Sequence, residues 1–296
     1  MAFIDSSGVK LYVEETGSGY PIVFVHELAA DSREWEGQVK WFSRHYRCIT
    51  FNARGYRPSD VPDDPQRYGY EFAVEDIAAV MRGLRLERAH VVGLSMGAYA
   101  TLCFGLRYPE RASALVAAGV GSGSPAHLRQ AFIAEHKALA QQVRQGGVAA
   151  VGQVAQQVGS GPTRIRLKEK DPRGWDMFMQ HLAEHDPVGL ANTLDMFQGS
   201  RPSLEHFKDG LSKLDVPVLL AVGDEDNPCL ETNLFLKRTL PDARLWVVPM
   251  TGHSVNLEEC GAFNAVVQDF LHSVESAAWS RSASCVEEDK HGLQTA

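Results

Sequence analysis

Ser95 stands between two glycines in Val91-Val92-Gly93-Leu94-Ser95-Met96-Gly97-Ala98, where an apolar run of β type gives way to a helical pattern. A chain that turns from strand to helix at one residue holds that residue at strained backbone angles, and small neighbours make room for the turn. The turn lifts the hydroxyl out of the sheet edge. The new helix aims its free N–H groups and the positive end of its dipole at the same point. A nucleophile and an anion site then coincide. Gly-x-Ser-x-Gly is a weak pattern alone, but here residues 89–94 read as a buried strand and residues 96–108 as a helix ending before Pro109.

A serine hydroxyl is a poor nucleophile until a base takes its proton, and the base needs a carboxylate to orient it. In an open α/β sheet such groups sit on loops past the carboxyl ends of strands. Two loops late in the chain qualify, Gly223-Asp224-Glu225-Asp226-Asn227-Pro228 and Met250-Thr251-Gly252-His253-Ser254. Among eleven histidines, His253 is the candidate base, because it follows a strand on a glycine-softened loop. His136, His181, His185 and His272 fall in helical segments, and His26 suits a turn-stabilising hydrogen bond. The acid is Asp224 or Asp226. An oxyanion needs two donors. Met96 N–H comes with the turn at Ser95, and the second should come from His26-Glu27-Leu28, with Leu28 N–H the choice. Glu27 is awkward there, since its carboxylate opposes an oxyanion unless the side chain points away.

The elements that must position these groups alternate. Residues 9–15, 21–26, 46–52, 89–94 and 112–119 read as strands, with helices over 33–42, 70–85 and 96–108. Strands at 218–222 and 243–248 and helices at 230–240 and 258–274 resume the rhythm later. This alternation predicts an α/β fold with a doubly wound, mostly parallel sheet. Residues 1–123 and 212–275 form that core. From 124 to 211 apolar residues recur at helical spacing, which predicts an all-helical insertion, and residues 276–296 are polar and aperiodic, as in a disordered tail.

The 296-residue chain carries 29 basic and 37 acidic residues, a net charge of −8 that would repel phosphate backbones and anionic lipid. Nucleic acid and membrane are therefore not expected partners; a small-molecule substrate is. Five scattered cysteines suggest neither a metal site nor a disulfide framework, and with no leader or spanning segment legible, a cytoplasmic location is expected.

Taken together, these features resemble the α/β-hydrolase family over nearly the whole chain to about Val274. The order of serine, acid and histidine matches, and the family's spacing selects Asp226 over Asp224. Residues 51–60 (Phe-Asn-Ala-Arg-Gly-Tyr-Arg-Pro-Ser-Asp) look like the family's Asp-x-Arg-Gly-x-Gly-x-Ser turn, with Asn52 and Arg57 as departures and a structural role implied. Glu27 replaces the glycine of the family's usual His-Gly oxyanion loop. Residues 124–211 take the place of the family's cap, which implies an apolar pocket roof from Phe132, Trp175, Phe178, Met179, Met196 and Phe197.

The resemblance implies a serine hydrolase that cleaves a carboxylic ester or lactone of a small, largely apolar substrate through an acyl-enzyme, with no cofactor and no metal. Hydrolytic carbon–carbon cleavage of a diketone by the same triad is the alternative. A slow-turnover ligand receptor on the same fold is the second. Dehalogenase and epoxide-hydrolase chemistry needs an aspartate where Ser95 stands.

Overall fold

The computed structural model describes residues 2–276 and 278–279. Eight strands, β1 (Ala2–Asp5), β2 (Lys10–Thr16), β3 (Tyr20–Val25), β4 (Tyr46–Phe51), β5 (Ala89–Leu94), β6 (Ala112–Ala118), β7 (Val218–Gly223) and β8 (Ala243–Val248), form one sheet in the order β1-β2-β4-β3-β5-β6-β7-β8. The first two strands are antiparallel to their neighbours, and all pairs from β4 to β8 are parallel. Strand β5 is buried at all six positions, and so is β7. Such continuous apolar runs belong to parallel strands covered on both faces. Helices Tyr70–Gly83 and Met96–Arg107 pack on one face, and Glu36–Phe42 and Cys260–Glu275 on the other.

After β3 the chain steps to β4 on one side and then to β5 on the other, so a crevice opens where the two directions diverge. Ligands bind at such a switch point in open α/β sheets. Here it is flanked by the Glu27-Leu28 loop after β3 and Ser95 after β5.

Sequence and structure part at several element ends. Strand β1 is not visible in the periodicity, because only Ile4 of its four residues is buried. The helix expected over 33–42 is a 3₁₀ turn, Ser32–Trp35, followed by Glu36–Phe42. The helix expected from residue 230 begins at Asn227, since Pro228 is tolerated in a first turn that needs no N–H donor there. The last helix is two, Val255–Glu258 and Cys260–Glu275.

Between β6 and β7 the described residues form helices and no strand: Ala126–Gly159, broken at Gly147 (φ 55°), then Ile165–Lys170, Pro172–Ala183, Pro187–Asn192, a π-helical turn Thr193–Gln198, and Lys208–Leu211. Asp171 and Asp186 cap two of these helices. Among the described residues no helix is long and apolar enough to cross a membrane. Residues 280–296, most of the segment expected to be a disordered tail, lie outside the described residues. Trp279, which is described, packs its ring 4.9 Å from Phe270 and donates its indole N–H to Asp242.

The turn at residues 51–60 is a structural knot. Arg54 and Asp76 are both buried, with Arg54 Nε 2.8 Å from Asp76 Oδ2 and Nη2 2.5 Å from Oδ1. Asn52 accepts from Ser32 N–H and donates to the Arg57 carbonyl, and Ser59 donates to the Asn52 carbonyl. Removing one partner of a buried ion pair strands the other's charge. Arg54→Ala is therefore expected to cost about 3–5 kcal/mol of stability, read as a lowered midpoint in urea unfolding.

Candidate active site

Ser95 sits at φ 54°, ψ −110°, in the left-handed region, at the junction of β5 with the helix Met96–Arg107. A non-glycine residue there stores strain that the surroundings must impose. The glycines show how. A Cβ on Gly97 would lie 2.1 Å from the Val25 carbonyl oxygen, and one on Gly93 would lie 2.4 Å from the Gly97 oxygen. Close backbone approach thus draws the end of β3, at Val25 and His26, against the start of the helix at Gly97. Ser95 N–H donates to the Ala118 carbonyl at 2.8 Å, tying the turn to β6.

Strands β7 and β8 deliver the other two groups. Asp226 is 1% exposed, and its Oδ2 lies 2.8 Å from His253 Nδ1. A carboxylate on Nδ1 fixes the tautomer with the proton there and leaves Nε2 as the free lone pair. Burial pushes the His253 pKa down, but the Asp226 carboxylate outweighs it, and the net displacement is upward. A Cβ on Gly119 would lie 3.4 Å from the His253 ring, and Gly119 directly follows the residue that binds Ser95 N–H. The imidazole therefore lies beside the serine turn. Asp224 is exposed and accepts from Thr251 N–H instead.

Glu27, fully buried, turns its carboxylate to a partner that sequence reading missed. Arg164, from the segment between the first two helices of the insertion, engages both oxygens: Nη1 is 2.8 Å from Oε1, and Nη2 binds Oε2. The same Nη1 lies 2.8 Å from Ser254 Oγ, and the guanidinium stacks over Phe178 at 5.0 Å. Burial opposes charge on Glu27, yet the Arg164 cation holds its pKa below the ordinary carboxylate value. Glu27 N–H donates to Glu34 Oε1 at 2.9 Å and so cannot serve an oxyanion. Burial, with the nearby Glu27 charge, raises the Glu34 pKa well above the ordinary carboxylate value. Leu28 N–H has no acceptor among the described residues, while Leu28 carbonyl accepts from Tyr56 Oη. His26 holds the turn, with Nδ1 on the Glu27 carbonyl and Nε2 accepting from Ala53 N–H.

The aromatic and methionine residues expected as one apolar roof separate into different groups. Trp175, Phe178 and Met179 pack with Ala29, Ala30, Ala155, Leu167 and Leu182. Phe197 belongs to the main core and lines a cavity of about 20 Å³ with Met96 and Gly97. Phe132 lies under the Arg201 guanidinium, against Gly123, and Met196 precedes Phe197 in the π-helical turn. Helical spacing identified them as inward-facing but could not say which interior each faces.

Asp226, Cys229 and His253 bring donor atoms within 4.8 Å of one another. Two of these already bind each other, Cys229 Sγ donates to the Gly119 carbonyl, and burial, reinforced by Asp226, raises the thiol well above its ordinary pKa, so the trio does not make a ready cation site. Arg164 had one signal in sequence, a carboxylate at Glu27 just after an apolar strand, which demands a buried cation, and Glu34 had none. Nothing in the pattern says where along the chain that cation resides.

Relatives agree with this architecture. A Bacillus subtilis (strain 168) protein assigned as 2-succinyl-6-hydroxy-2,4-cyclohexadiene-1-carboxylate synthase is 29% identical over 273 residues, spanning 91% of this chain and 97% of that protein. The 2-hydroxy-6-oxo-6-phenylhexa-2,4-dienoate hydrolase of Comamonas testosteroni is 26% identical, over 90% and 92% of the two chains. A thermophilic esterase from Thermogutta terrifontis superposes with a TM-score of 0.79 at 25% identity, covering 92% of this chain and 98% of the esterase. The family model for the alpha/beta hydrolase fold matches residues 20–259, and with the sheet order and the turn at Ser95 this establishes that the chain belongs to the α/β-hydrolase family.

Proposed function

We propose that this protein is a serine hydrolase that cleaves a carboxylic ester or lactone of a small substrate through an acyl-enzyme, with residues 124–211 as its cap. The observation that carries the reading is the 2.8 Å contact between Asp226 and His253 Nδ1 beside a serine at φ 54°. His253 Nε2 takes the proton from Ser95 Oγ as the oxygen attacks the carbonyl carbon, and Asp226 stabilises the imidazolium that results. The oxyanion is held by Met96 and Leu28 N–H. His253 returns the proton to the leaving alcohol, and water then repeats the sequence on the acyl-enzyme. These steps call for no cofactor, and a cytoplasmic location fits the same reading.

Hydrolytic carbon–carbon cleavage is the second reading, supported by the likeness to the Comamonas testosteroni dienoate hydrolase. Turnover of p-nitrophenyl esters of short and medium chain, set against a dienoate diketone, separates the two. Ester turnover dominant over diketone cleavage supports the first; the reverse supports the second. Binding of either substrate class without turnover would point instead to a receptor.

Neutral His253 is the active form, so activity rises with pH through its pKa. Because Asp226 raises that pKa, the acid limb of kcat/KM is expected to have its midpoint above about 6.5, the ordinary histidine value. A midpoint well below that value, measured with a pH-stable ester, would contradict the assignment.

A further inference from the structure

His253 Nε2, the atom that must accept the serine proton, lies 4.0 Å from Glu27 Oε2. That is beyond hydrogen-bond reach, and it needs to be. A carboxylate in contact with Nε2 would hold a proton on it as an imidazolium ion pair, and no lone pair would remain for Ser95. Two carboxylates thus flank one imidazole, Asp226 on the productive nitrogen and Glu27 near the reactive one.

What separates Glu27 from Nε2 is Arg164. Its planar fork matches both carboxylate oxygens, a geometry that fixes direction as well as charge. The fork is itself held by Ser254 Oγ, next in sequence to His253, and by the ring of Phe178. The preceding residue, Thr163, accepts the His253 backbone N–H at 2.7 Å. A Cβ on Gly252 would lie 2.1 Å from that same Thr163 oxygen, so the insertion is pressed directly onto the histidine loop.

We propose that Arg164 is a positioning residue for His253: by engaging both oxygens of Glu27 it holds that carboxylate out of contact with Nε2 and keeps the imidazole available as the base for Ser95. The inference rests on the serine-hydrolase reading above. It also makes the base depend on the insertion. Displacing residues 163–164 removes the backbone anchor of His253 and the counter-ion of Glu27 together, and an exposed Glu27 charge then captures the imidazolium.

Among the described residues other charged and titratable groups surround this centre, Lys170 with Nζ 3.1 Å from Thr251 Oγ1 being one. Asp226 and the neutral Cys229 thiol lie on the Nδ1 side. Glu258 accepts from Gly252 and Ser254 N–H, and Glu34 and His26 flank the backbone of Glu27. Within this set Glu27 raises the His253 pKa and Arg164 lowers it.

The test uses Arg164→Met, Glu27→Gln and the double variant. In Arg164→Met the acid limb of kcat/KM should move up by about one pH unit or more, the size expected for a carboxylate left beside an imidazolium. Below the midpoint, each unit lowers activity about tenfold. Glu27→Gln should move the limb down, and the double variant should regain most of the activity lost in Arg164→Met. An Arg164→Met limb that coincides with wild type, or a double variant no better than the single, overturns the proposal. Should Arg164→Met not fold, Arg164→Lys decides, since it keeps a cation but loses the fork that engages both oxygens: an upward shift of the limb supports the proposal, and an unmoved limb overturns it. Titration of His253 by NMR in Ser95→Ala protein reads the same shifts without turnover. A Ser95→Ala variant that keeps wild-type turnover would refute the serine mechanism, whereas unshifted His253 titrations would refute only the role of Arg164.

Discussion

Ser95→Ala and His253→Ala are each expected to reduce ester turnover about 10⁶-fold, and the double variant is expected to lose little more. The reasoning is that the two residues act as one unit. Without the hydroxyl there is nothing to acylate, and without Nε2 the hydroxyl keeps its proton. Either loss leaves only the contribution of the bound geometry and the oxyanion donors. Measured kcat for the three variants checks this, and additive losses would show that the residues act in separate steps. Folding is not expected to suffer in Ser95→Ala, since the serine backbone bond to Ala118 does not involve the side chain.

Asp226→Asn should be nearly as damaging, lowering kcat about 10⁴-fold. The shape of the side chain is preserved, but its amide can donate to Nδ1, which puts the ring proton on Nε2 and leaves no lone pair facing Ser95. Among the described residues Asp226 Oδ1 has no hydrogen-bond partner, so the bond to His253 Nδ1 is the one the substitution changes most. Asp224→Asn is the control. That side chain is exposed and, among the described residues, binds only the Thr251 backbone, so its loss should change kcat by less than about threefold. Equal losses in the two variants would mean that the acid has been assigned by spacing alone.

Strand β5 and strand β8 were legible to the residue, because each is a short, β-branched-rich stretch that ends at a glycine- or proline-marked turn. The turn at Ser95 was legible for the same reason, with Gly93 and Gly97 marking the close approach. Strand β1 was not, since one buried side chain in four makes no pattern. The break at Gly147 falls at a Gly146-Gly147 pair, a turn signal that the helical spacing of apolar residues on either side outweighed. Around the site, Ser95, His253 and Asp226 each announce themselves locally, by following a strand. Arg164 does not: it meets Glu27 across 137 positions of chain, and no periodicity encodes a contact that only the folded insertion creates. Glu27 looked like an obstacle in the sequence because its counter-ion was invisible. The fold pairs both oxygens of that carboxylate with the Arg164 guanidinium.

The most direct test of the account is to mix the enzyme with a p-nitrophenyl ester, quench in acid during turnover, and weigh the peptide that contains Ser95. The account predicts that this peptide gains the mass of one acyl group, that a burst of p-nitrophenol accompanies the gain, and that both vanish in Ser95→Ala. Turnover with no acyl mass on Ser95, and undiminished in Ser95→Ala, would contradict it.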